Sequence, residues 1–300
     1  MQRTAVLITH PKSPSGHHWA DAVDKSDGAG PSTAGEAVEV AVKVAREAGW
    51  RLVATPDELA KHGDTAAGIE VVDPMPRQAD LCLVLGGDGS ILYALRRFAR
   101  SGVPVFGVNF GTVGFLAAVE RGDAAEGIRR ALSGETEAID LPGLEVAVDG
   151  ERRDALNDVT FARRPHDRVA ELSYRIAGEE VGHVRCDGLV AATPAGSTGY
   201  NLANQGPILA WGVEGYVVSY IAPHSLTARA LVVAPGDVLH VGNAPGREAV
   251  DVAVDGEHAS ELAPGAELEV RFANGVGRLA QLPGSSFYQR IREKFGHLAV

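Results

Sequence analysis

The chain has 300 residues, of which 45% are hydrophobic and 22% are charged. This composition is typical of a globular protein, and the length allows two domains. The formal charge of −11 at pH 7 argues against a protein that binds duplex nucleic acid through its phosphates, because such proteins carry an excess of Lys and Arg. We therefore expect no nucleic-acid partner.

The sequence contains no apolar run near the roughly 18 residues that a membrane-spanning helix needs, and its N-terminus does not resemble a signal peptide. We expect a cytoplasmic protein with no membrane partner. Cys82 and Cys186 lack Cys-x-x-Cys spacing, and Cys82 lies inside an apolar run, where a buried, reduced thiol is usual. This pattern excludes a disulfide framework.

In the first third of the chain, apolar runs alternate with helix-like segments. Three continuous apolar runs are typical of buried parallel strands: residues 6–8, 81–85 and 103–108. Residues 36–48 repeat apolar side chains every three or four positions, and a second helix is expected from Ile91 to Arg100 with Ser90 as its cap. These elements predict a doubly wound parallel α/β domain over residues 1–120.

Residues 12–32 contain Pro, Gly, Ser and His without periodicity. This composition predicts a long surface loop over the carboxyl end of the first strand. Such loops often cover active sites, and a loop without that role is an equal alternative.

The hydrophobic period changes to two from about residue 140. Residues 144–148 alternate apolar with polar or small side chains and run into Asp149-Gly150, a hairpin-turn sequence. The same Val-Asp-Gly-Glu sequence returns at residues 254–257. We therefore predict an all-β domain over residues 121–279.

The last segment, residues 280–300, is predicted to contain a helix. Phe287, Ile291 and Phe295 recur every four positions, so they form an apolar stripe along one helix face. We expect this stripe to pack back on the first domain.

The strongest chemical signal is the sequence Gly-Gly-Asp-Gly-Ser at residues 86–90, directly after an apolar strand and before a helix. Glycines leave backbone amides uncovered, so phosphate oxygens can approach at the positive end of the helix. Asp88 would then be a fixed carboxylate that accepts a proton from an attacking hydroxyl or helps to hold Mg²⁺. The alternative is a tight turn with Asp88 as a capping residue.

Two further segments carry polar groups that suit a ribose, amide or phosphate ligand. Residues 187–200 predict a strand and then a turn rich in hydroxyls and small residues, with Tyr200 able to stack on a ligand. A helix-capping turn is an equal alternative. Asn157-Asp158 could hold a diol, although such a pair more often marks a turn or bulge.

Several common catalytic motifs are missing from the sequence. It has no P-loop and no His-Glu-x-x-His, Gly-x-Ser-x-Gly or Gly-x-Gly-x-x-Gly motif. Its ten histidines are scattered without metal-ligand spacing. We therefore expect no metal site built from protein side chains.

Together the motifs resemble those of bacterial NAD kinases, the ATP-NAD kinases that phosphorylate the adenosine ribose of NAD, and the resemblance covers nearly the whole chain. The matching segments are residues 86–90, 107–116, 157–158, 187–200 and 223–229. The Gly-Gly-Asp-Gly element alone also occurs in phosphofructokinases and diacylglycerol kinases, whereas the other elements in this order are more specific. Asp158 departs from the Glu found in many members.

The resemblance implies that ATP, or also polyphosphate, donates a phosphoryl group to the ribose 2′-hydroxyl of NAD, with Asp88 as general base. It implies phosphate binding by Gly86, Gly87, Gly89 and Ser90. The NAD-binding positions that it implies are Asp88, Gly89, Asn157, Asp158, Arg168, Arg185, Asp187, Ala195, Thr198, Gly199, Tyr200, Asn201, Leu202, Ala203 and Glu257.

The resemblance also implies that the all-β domain is a β-sandwich. It further implies Mg²⁺, or another divalent cation, held mainly by the nucleotide phosphates, and a homodimer or homotetramer. Two other functions stay open at this point. One is a different Gly-Gly-Asp-Gly kinase that acts on a sugar phosphate or a lipid. The other is a non-catalytic sensor that binds NAD.

Overall fold

A computed structural model describes residues 2–9, 34–111 and 114–296 of the chain. The predicted loop at residues 12–32 and two residues of the 107–116 motif, Thr112 and Val113, lie outside the described residues. The chain forms two compact units: Met1–Ile139 with Arg278–Val300, and Asp140–Gly277.

The first unit contains a parallel sheet with helices on both faces. Its strands are β1 (Thr4–Thr9), β2 (Arg51–Ala54), β3 (Glu70–Val71), β4 (Leu81–Leu85), β5 (Val105–Asn109) and β6 (Val119–Glu120). Its helices are α1 (Ala34–Glu47), α2 (Pro56–Leu59), α3 (Asp88–Arg97), α4 (Ala124–Leu132) and α6 (Phe287–Phe295). The sheet order is β3-β2-β1-β4-β5, with every neighbouring pair parallel.

Alternation along the buried strands places apolar side chains on both faces of this sheet. Leu83 and Phe106 share a core with Ile128 of α4 and with α1. On the opposite face, Ile91 of α3 packs so closely on Gly107 that a Cβ there would lie 2.3 Å from its Cδ1. The prediction of a doubly wound α/β domain is therefore confirmed.

Helix α3 begins earlier than the sequence predicted. Gly87 is its N-cap, with an extended ψ of −174°. Ser90 lies in the first turn, where it donates its N–H to the Gly87 carbonyl at 2.9 Å. The prediction of Ser90 as the cap is wrong, because the glycine turn leads directly into the helix. Asp88 is thus the first helical residue, where its negative charge complements the helix dipole.

The second unit consists of antiparallel strands. They are β7 (Glu137–Val148), β8 (Glu151–Ala155), β9 (Asp158–Ala162), β10 (Ala170–Ile176), β11 (Glu179–Cys186), β12 (Gly188–Ala192), β13 (Tyr216–Ile221), β14 (Leu231–Val233), β15 (Leu239–Asn243), β16 (Val250–Val254), β17 (Glu257–Leu262) and β18 (Glu267–Gln281), with the short helix α5 (Tyr200–Ala203). One sheet has the order β14-β13-β12-β9-β16-β17, and a second contains β11-β10-β15-β18 and the β7–β8 hairpin.

A single core joins these two sheets. Phe161 and Tyr216 from the first sheet pack with Leu144, Leu172 and Leu239 from the second, which confirms the predicted β-sandwich. The two Val-Asp-Gly-Glu sequences form hairpin turns with positive φ at both Asp and Gly, at Asp149-Gly150 and Asp255-Gly256.

The units divide at residues 139/140 and 277/278, and not at the predicted 120/121 and 279/280. The difference arises because α4 packs in the first unit, where Trp50 donates its Nε1–H to the Leu132 carbonyl at 2.8 Å. The C-terminal helix α6 also belongs to the first unit, where Phe115 lies 6.4 Å from Phe287 and 5.7 Å from Phe295 between ring centroids. Its predicted return to that domain is confirmed.

Both cysteines are free and buried, in agreement with the expectation of reduced thiols. Burial raises the pKa of the Cys186 thiol to about 12. None of the helices in the described ranges combines the length and apolar character needed to cross a membrane.

Candidate active site

The glycine turn lies where the order of strands in the sheet reverses. From β1 the chain adds β2 and β3 on one side of the sheet, and from β4 it adds β5 on the other side. The carboxyl ends of β1 and β4 are adjacent, since Thr9 pairs with Leu85, the residue before Gly86. In open α/β sheets, ligands bind outside the carboxyl ends of the strands at such a switch point.

A buried polar cluster at the end of β1 lies beside this turn. Thr9 donates its N–H to the Glu58 carboxylate at 2.9 Å, and Lys61 Nζ lies 2.7 Å from the other oxygen of Glu58. His62 Nε2 lies 2.8 Å from Thr9 Oγ1. The sequence analysis did not find this cluster, because its residues come from β1, from α2 and from the turn after α2, and fit no linear motif.

The glycine turn approaches a second backbone segment closely. Gly86 donates its N–H to the Val108 carbonyl at 3.0 Å and accepts the Phe110 N–H at 3.3 Å. A Cβ on Gly111 would lie 3.4 Å from the Gly87 Cα. The first amides of α3 have no carbonyl partner within the helix, so an anion can approach them where side chains are absent.

Asp88 is held by the Gly-Phe-Leu end of the 107–116 motif. Its carboxylate accepts the Phe115 N–H at 2.6 Å and the Leu116 N–H at 3.0 Å, one on each oxygen. Gly114 is required beside it, since a Cβ there would lie 2.0 Å from Asp88 Oδ1. Each carboxylate oxygen keeps a further lone pair, so the fixed group can still accept a proton.

In the second unit, Asp255 organises the Asn157-Asp158 turn. Its carboxylate accepts the N–H groups of Leu156, Asn157 and Asp158 at 3.0, 2.7 and 3.1 Å. The Asn157 carbonyl accepts the Thr193 N–H at 2.8 Å. The Asn157 turn and the 187–200 segment, which lie apart in the sequence, are therefore directly bonded.

Asp158 is a buried carboxylate, 7% exposed. Burial raises its pKa to about 6; a hydrogen bond from Thr160 Oγ1 at 3.0 Å opposes this rise, and the negative charge of Asp255 adds to it. The group therefore titrates close to neutral pH, as functional carboxylates often do.

Tyr200 interacts electrostatically with both Asp158 and Asp187. The Arg163 Nε–H donates to Asp187 at 2.6 Å and lowers the pKa of that carboxyl. Burial, together with the charges of Asp158 and Asp187, raises the pKa of Tyr200, whose side chain is 43% exposed. Tyr200 is thus within electrostatic range of two other predicted site residues, and Arg163, which the sequence analysis missed, is bonded to one of them.

The turn after β12 is held by its own polar side chains. Asn201 is fully buried and donates to the Ser197 and Pro207 carbonyls at 2.9 and 3.0 Å. Thr198 Oγ1 donates to the Ala195 carbonyl at 3.2 Å. Ala195 is buried, whereas Gly199 and Ala203 are exposed and Leu202 is half-buried. The buried members support the turn, and the exposed members line its surface.

Three other predicted positions lie on exposed or strand-paired parts of the second unit. Arg168 is 72% exposed in its side chain and donates to Glu248 at 3.0 Å. Arg185 pairs across the β10–β11 ladder with Glu171. Glu257 is exposed at the start of β17. Within the described part of the chain, no three His, Cys, Asp or Glu side chains converge as a metal site would require.

A fixed carboxylate in a glycine turn, at the switch point of a doubly wound sheet, defines an α/β phosphate-binding protein with an added β-sandwich. Family models match both parts of the chain: the ATP-NAD kinase N-terminal domain over residues 35–136 and the C-terminal domain over residues 156–281. The chain belongs to the NAD kinase family.

Individual relatives agree with the family match. The NAD kinase of Symbiobacterium thermophilum is 37% identical over 222 residues, which is 72% of this chain and 78% of that protein. The NAD kinase of Gemmatimonas aurantiaca is 36% identical over 224 residues, or 72% and 77%.

Solved structures share the fold at lower identity. Yeast NADH kinase, crystallised with NADH, has a TM-score of 0.81 and 20% identity, with 100% of this chain and 89% of that chain covered. An NAD kinase from Archaeoglobus fulgidus in complex with ATP has a TM-score of 0.67 and 22% identity, with 98% of each chain covered.

Proposed function

We propose that the protein is an NAD kinase that transfers the terminal phosphoryl group of ATP to the 2′-hydroxyl of the adenosine ribose of NAD. The observation that carries this proposal is the Asp88 carboxylate, fixed by two backbone N–H groups at the first residue of α3. The family membership of the chain supports the identity of both substrates.

Asp88 acts as general base in this proposal. The hydroxyl oxygen attacks the terminal phosphorus, and its proton goes to the Asp88 carboxylate. The bond from that phosphorus to the bridging oxygen breaks, and ADP leaves with the electron pair. Catalysis then depends on positioning and charge neutralisation, which is typical of phosphoryl transfer.

The phosphates of ATP bind at the glycine turn in this proposal. The N–H groups of the N-cap Gly87 and of Gly89 in the first turn of α3, with the positive end of the helix dipole, favour them there. Mg²⁺ or another divalent cation, held mainly by these phosphates, would neutralise part of their charge. Asp88 supplies the carboxylate of the glycine turn, and this carboxylate could also contact the cation.

NAD is held by the second unit in this proposal. Asp158 and Asn157 accept and donate hydrogen bonds to the ribose hydroxyls, and the exposed Tyr200 ring contacts the dinucleotide beside Asp187. The remaining predicted NAD positions, including Arg168, Arg185 and Glu257, stay predictions. We further propose that the protein works in the cytoplasm and forms a homodimer or homotetramer. Light scattering after gel filtration would measure the oligomeric state.

The test measures NADP formation from NAD, ATP and Mg²⁺ for the wild type, Asp88→Asn and the control Asp57→Asn. Asp57 is an exposed acid in the first turn of α2, as Asp88 is in the first turn of α3. We expect Asp88→Asn to lose about 10²–10⁴ in turnover, the usual contribution of a general base, and to bind NAD nearly normally. The control should keep wild-type turnover.

Three results would contradict the proposal. A wild-type protein that phosphorylates fructose 6-phosphate or diacylglycerol but not NAD would belong to another kinase class. An Asp88→Asn variant that keeps more than about a tenth of wild-type turnover would exclude Asp88 as the base. A variant that no longer binds NAD by calorimetry would make Asp88 a ligand or a structural residue.

A further inference from the structure

The inward face of α6 carries two positive charges. Phe287, Arg290, Ile291 and Lys294 follow a three- and four-residue spacing that places them on one side of the helix. Ile291 is buried, and Arg290 and Lys294 are partly buried, whereas Arg292 on another side is exposed. A face that packs on a core normally carries apolar residues, so the two cations need an explanation.

Both cations reach the segment that holds Asp88. Lys294 Nζ lies 4.0 Å from the centroid of the Phe115 ring, and the Phe115 N–H is one of the two donors to Asp88. Arg290 donates to Gln281 Oε1, and Gln281 Nε2 donates to the Leu116 carbonyl at 3.0 Å. Leu116 supplies the second donor to Asp88.

The electrostatics agree with this geometry. Burial lowers the pKa of Lys294 and of Arg290, and the negative charge of Asp88 opposes that effect in both cases. Glu120, which accepts a hydrogen bond from Asn109 Nδ2 at 2.8 Å, also interacts with both. The positive face of α6 is therefore close to the proposed base.

Phosphoryl transfer needs more positive charge than the glycine turn provides. The charge on the moving group is spread over its equatorial oxygens, and kinases neutralise it with Lys or Arg as well as metal ions. Residues 86–90 contain neither Lys nor Arg, and the sequence has no P-loop lysine. The Lys294 ammonium has three N–H donors, and the Phe115 ring engages only one side of it.

We propose that Lys294 and Arg290 bind the terminal phosphate of the donor nucleotide and neutralise its charge during transfer. This inference rests on the proposed kinase function. In the transfer step, the phosphorus-to-bridging-oxygen bond breaks, the bond to the ribose oxygen forms and the hydroxyl proton goes to Asp88. Neither cation gains or loses a proton.

The test compares Lys294→Met and Arg290→Met with the matched control Arg292→Met. Methionine keeps most of the apolar stem over Phe115 and removes only the charge. We expect Lys294→Met to lower kcat/KM for ATP about 10–100-fold, the effect of losing one charged hydrogen bond to phosphate. The KM for NAD should stay within about twofold, and Arg292→Met should behave as the wild type.

A binding measurement separates direct contact from a structural role. Calorimetry should show that Lys294→Met weakens the binding of β,γ-methylene ATP more than the binding of ADP, because only the triphosphate analogue carries the third phosphate. Lys294→Arg, which restores the charge, should recover much of the lost affinity. The same pattern is expected for Arg290→Met.

Two outcomes would overturn the inference. One is a Lys294→Met variant with reduced kcat but unchanged KM for ATP and unchanged analogue binding, which would make Lys294 a support for Asp88 alone. The other is equal loss of ADP and analogue affinity. If Lys294→Met does not fold, Lys294→Gln takes its place in the same comparison. A wild type that does not form NADP would instead contradict the proposed function. The binding comparison would then still test whether Lys294 and Arg290 contact the terminal phosphate.

Discussion

The carboxylate of Asp255 accepts the N–H groups of three consecutive residues at the start of β9, and its own N–H donates to the Asp158 carbonyl at 2.9 Å. Asp149 occupies the same position in the other Asp-Gly turn but is exposed and accepts only the Ser260 hydroxyl at 3.2 Å among its described contacts. The two turn aspartates therefore occupy equivalent positions but accept different sets of hydrogen bonds.

We predict that Asp255→Asn lowers the free energy of unfolding by about 2 kcal/mol, because an amide cannot accept all three N–H groups and has no charge. Asp149→Asn should change it by less than about 0.5 kcal/mol. Urea unfolding measures both values. Equal effects of the two substitutions would show that the three bonds to Asp255 contribute little.

Asp158 gives a prediction about pH. Its pKa is raised from 3.8 to about 6, mainly by burial, so the folded protein holds this proton more tightly than the unfolded chain. Stability from this group is therefore fully present below pH 4 and is lost as pH rises to about 6.

The free energy of unfolding of Asp158→Asn should rise relative to that of the wild type by about 2–3 kcal/mol between pH 4 and 7. The reason is that each unit of pKa difference between the folded and unfolded states corresponds to about 1.4 kcal/mol. Urea unfolding across this range measures the difference between the two proteins. Parallel curves for wild type and variant would show that the Asp158 pKa is not raised.

Between elements, the contact that matters most for the site joins the first residue of α3 to the segment after β5. A Cβ at position 114 would lie 2.0 Å from Asp88 Oδ1, whereas one at Gly122 would meet nothing within 4 Å. Gly114→Ala must therefore move the Asp88 carboxylate, and Gly122→Ala is its control.

We predict that Gly114→Ala lowers the turnover of NADP formation about 100-fold, because a displacement of about 1 Å can cost that much. NAD binding, which we assign to the other unit, should change little. Steady-state kinetics and calorimetry provide the measurements, with Gly122→Ala expected to match the wild type. Normal turnover in Gly114→Ala would mean that the position of Asp88 is not critical.

Elements with a strong local pattern could be predicted from the sequence. The apolar runs gave β1, β4 and β5, and the Asp-Gly pairs gave two hairpin turns, because these features depend on neighbouring residues. The start of α3 could not be read correctly, since Ser90 has a good capping side chain and only the backbone of Gly87 shows where the helix begins.

Site contacts between distant residues could not be predicted in this way. Arg163 lies 24 positions from Asp187, and Asp255 lies 97–99 positions from the N–H groups that it accepts. Arg290 and Lys294 come from the end of the chain, where they read as ordinary surface charges on an amphipathic helix. The strand–turn–helix arrangement around Asp88 could be predicted because its three parts follow each other directly in the sequence.

For the whole molecule, the chain order has a consequence for folding. The first unit is interrupted by the second, and its sheet is extended only when Leu279 and Ala280 at the end of β18 pair with β5. During synthesis, domains generally fold from the N-terminus as they emerge from the ribosome. A nascent chain that has reached Gly277 already contains Asp88 and its glycine turn but lacks the strand end and α6. The unit that contains the proposed base is therefore completed last, so a truncated translation product would carry Asp88 without the two cations that we propose to act beside it.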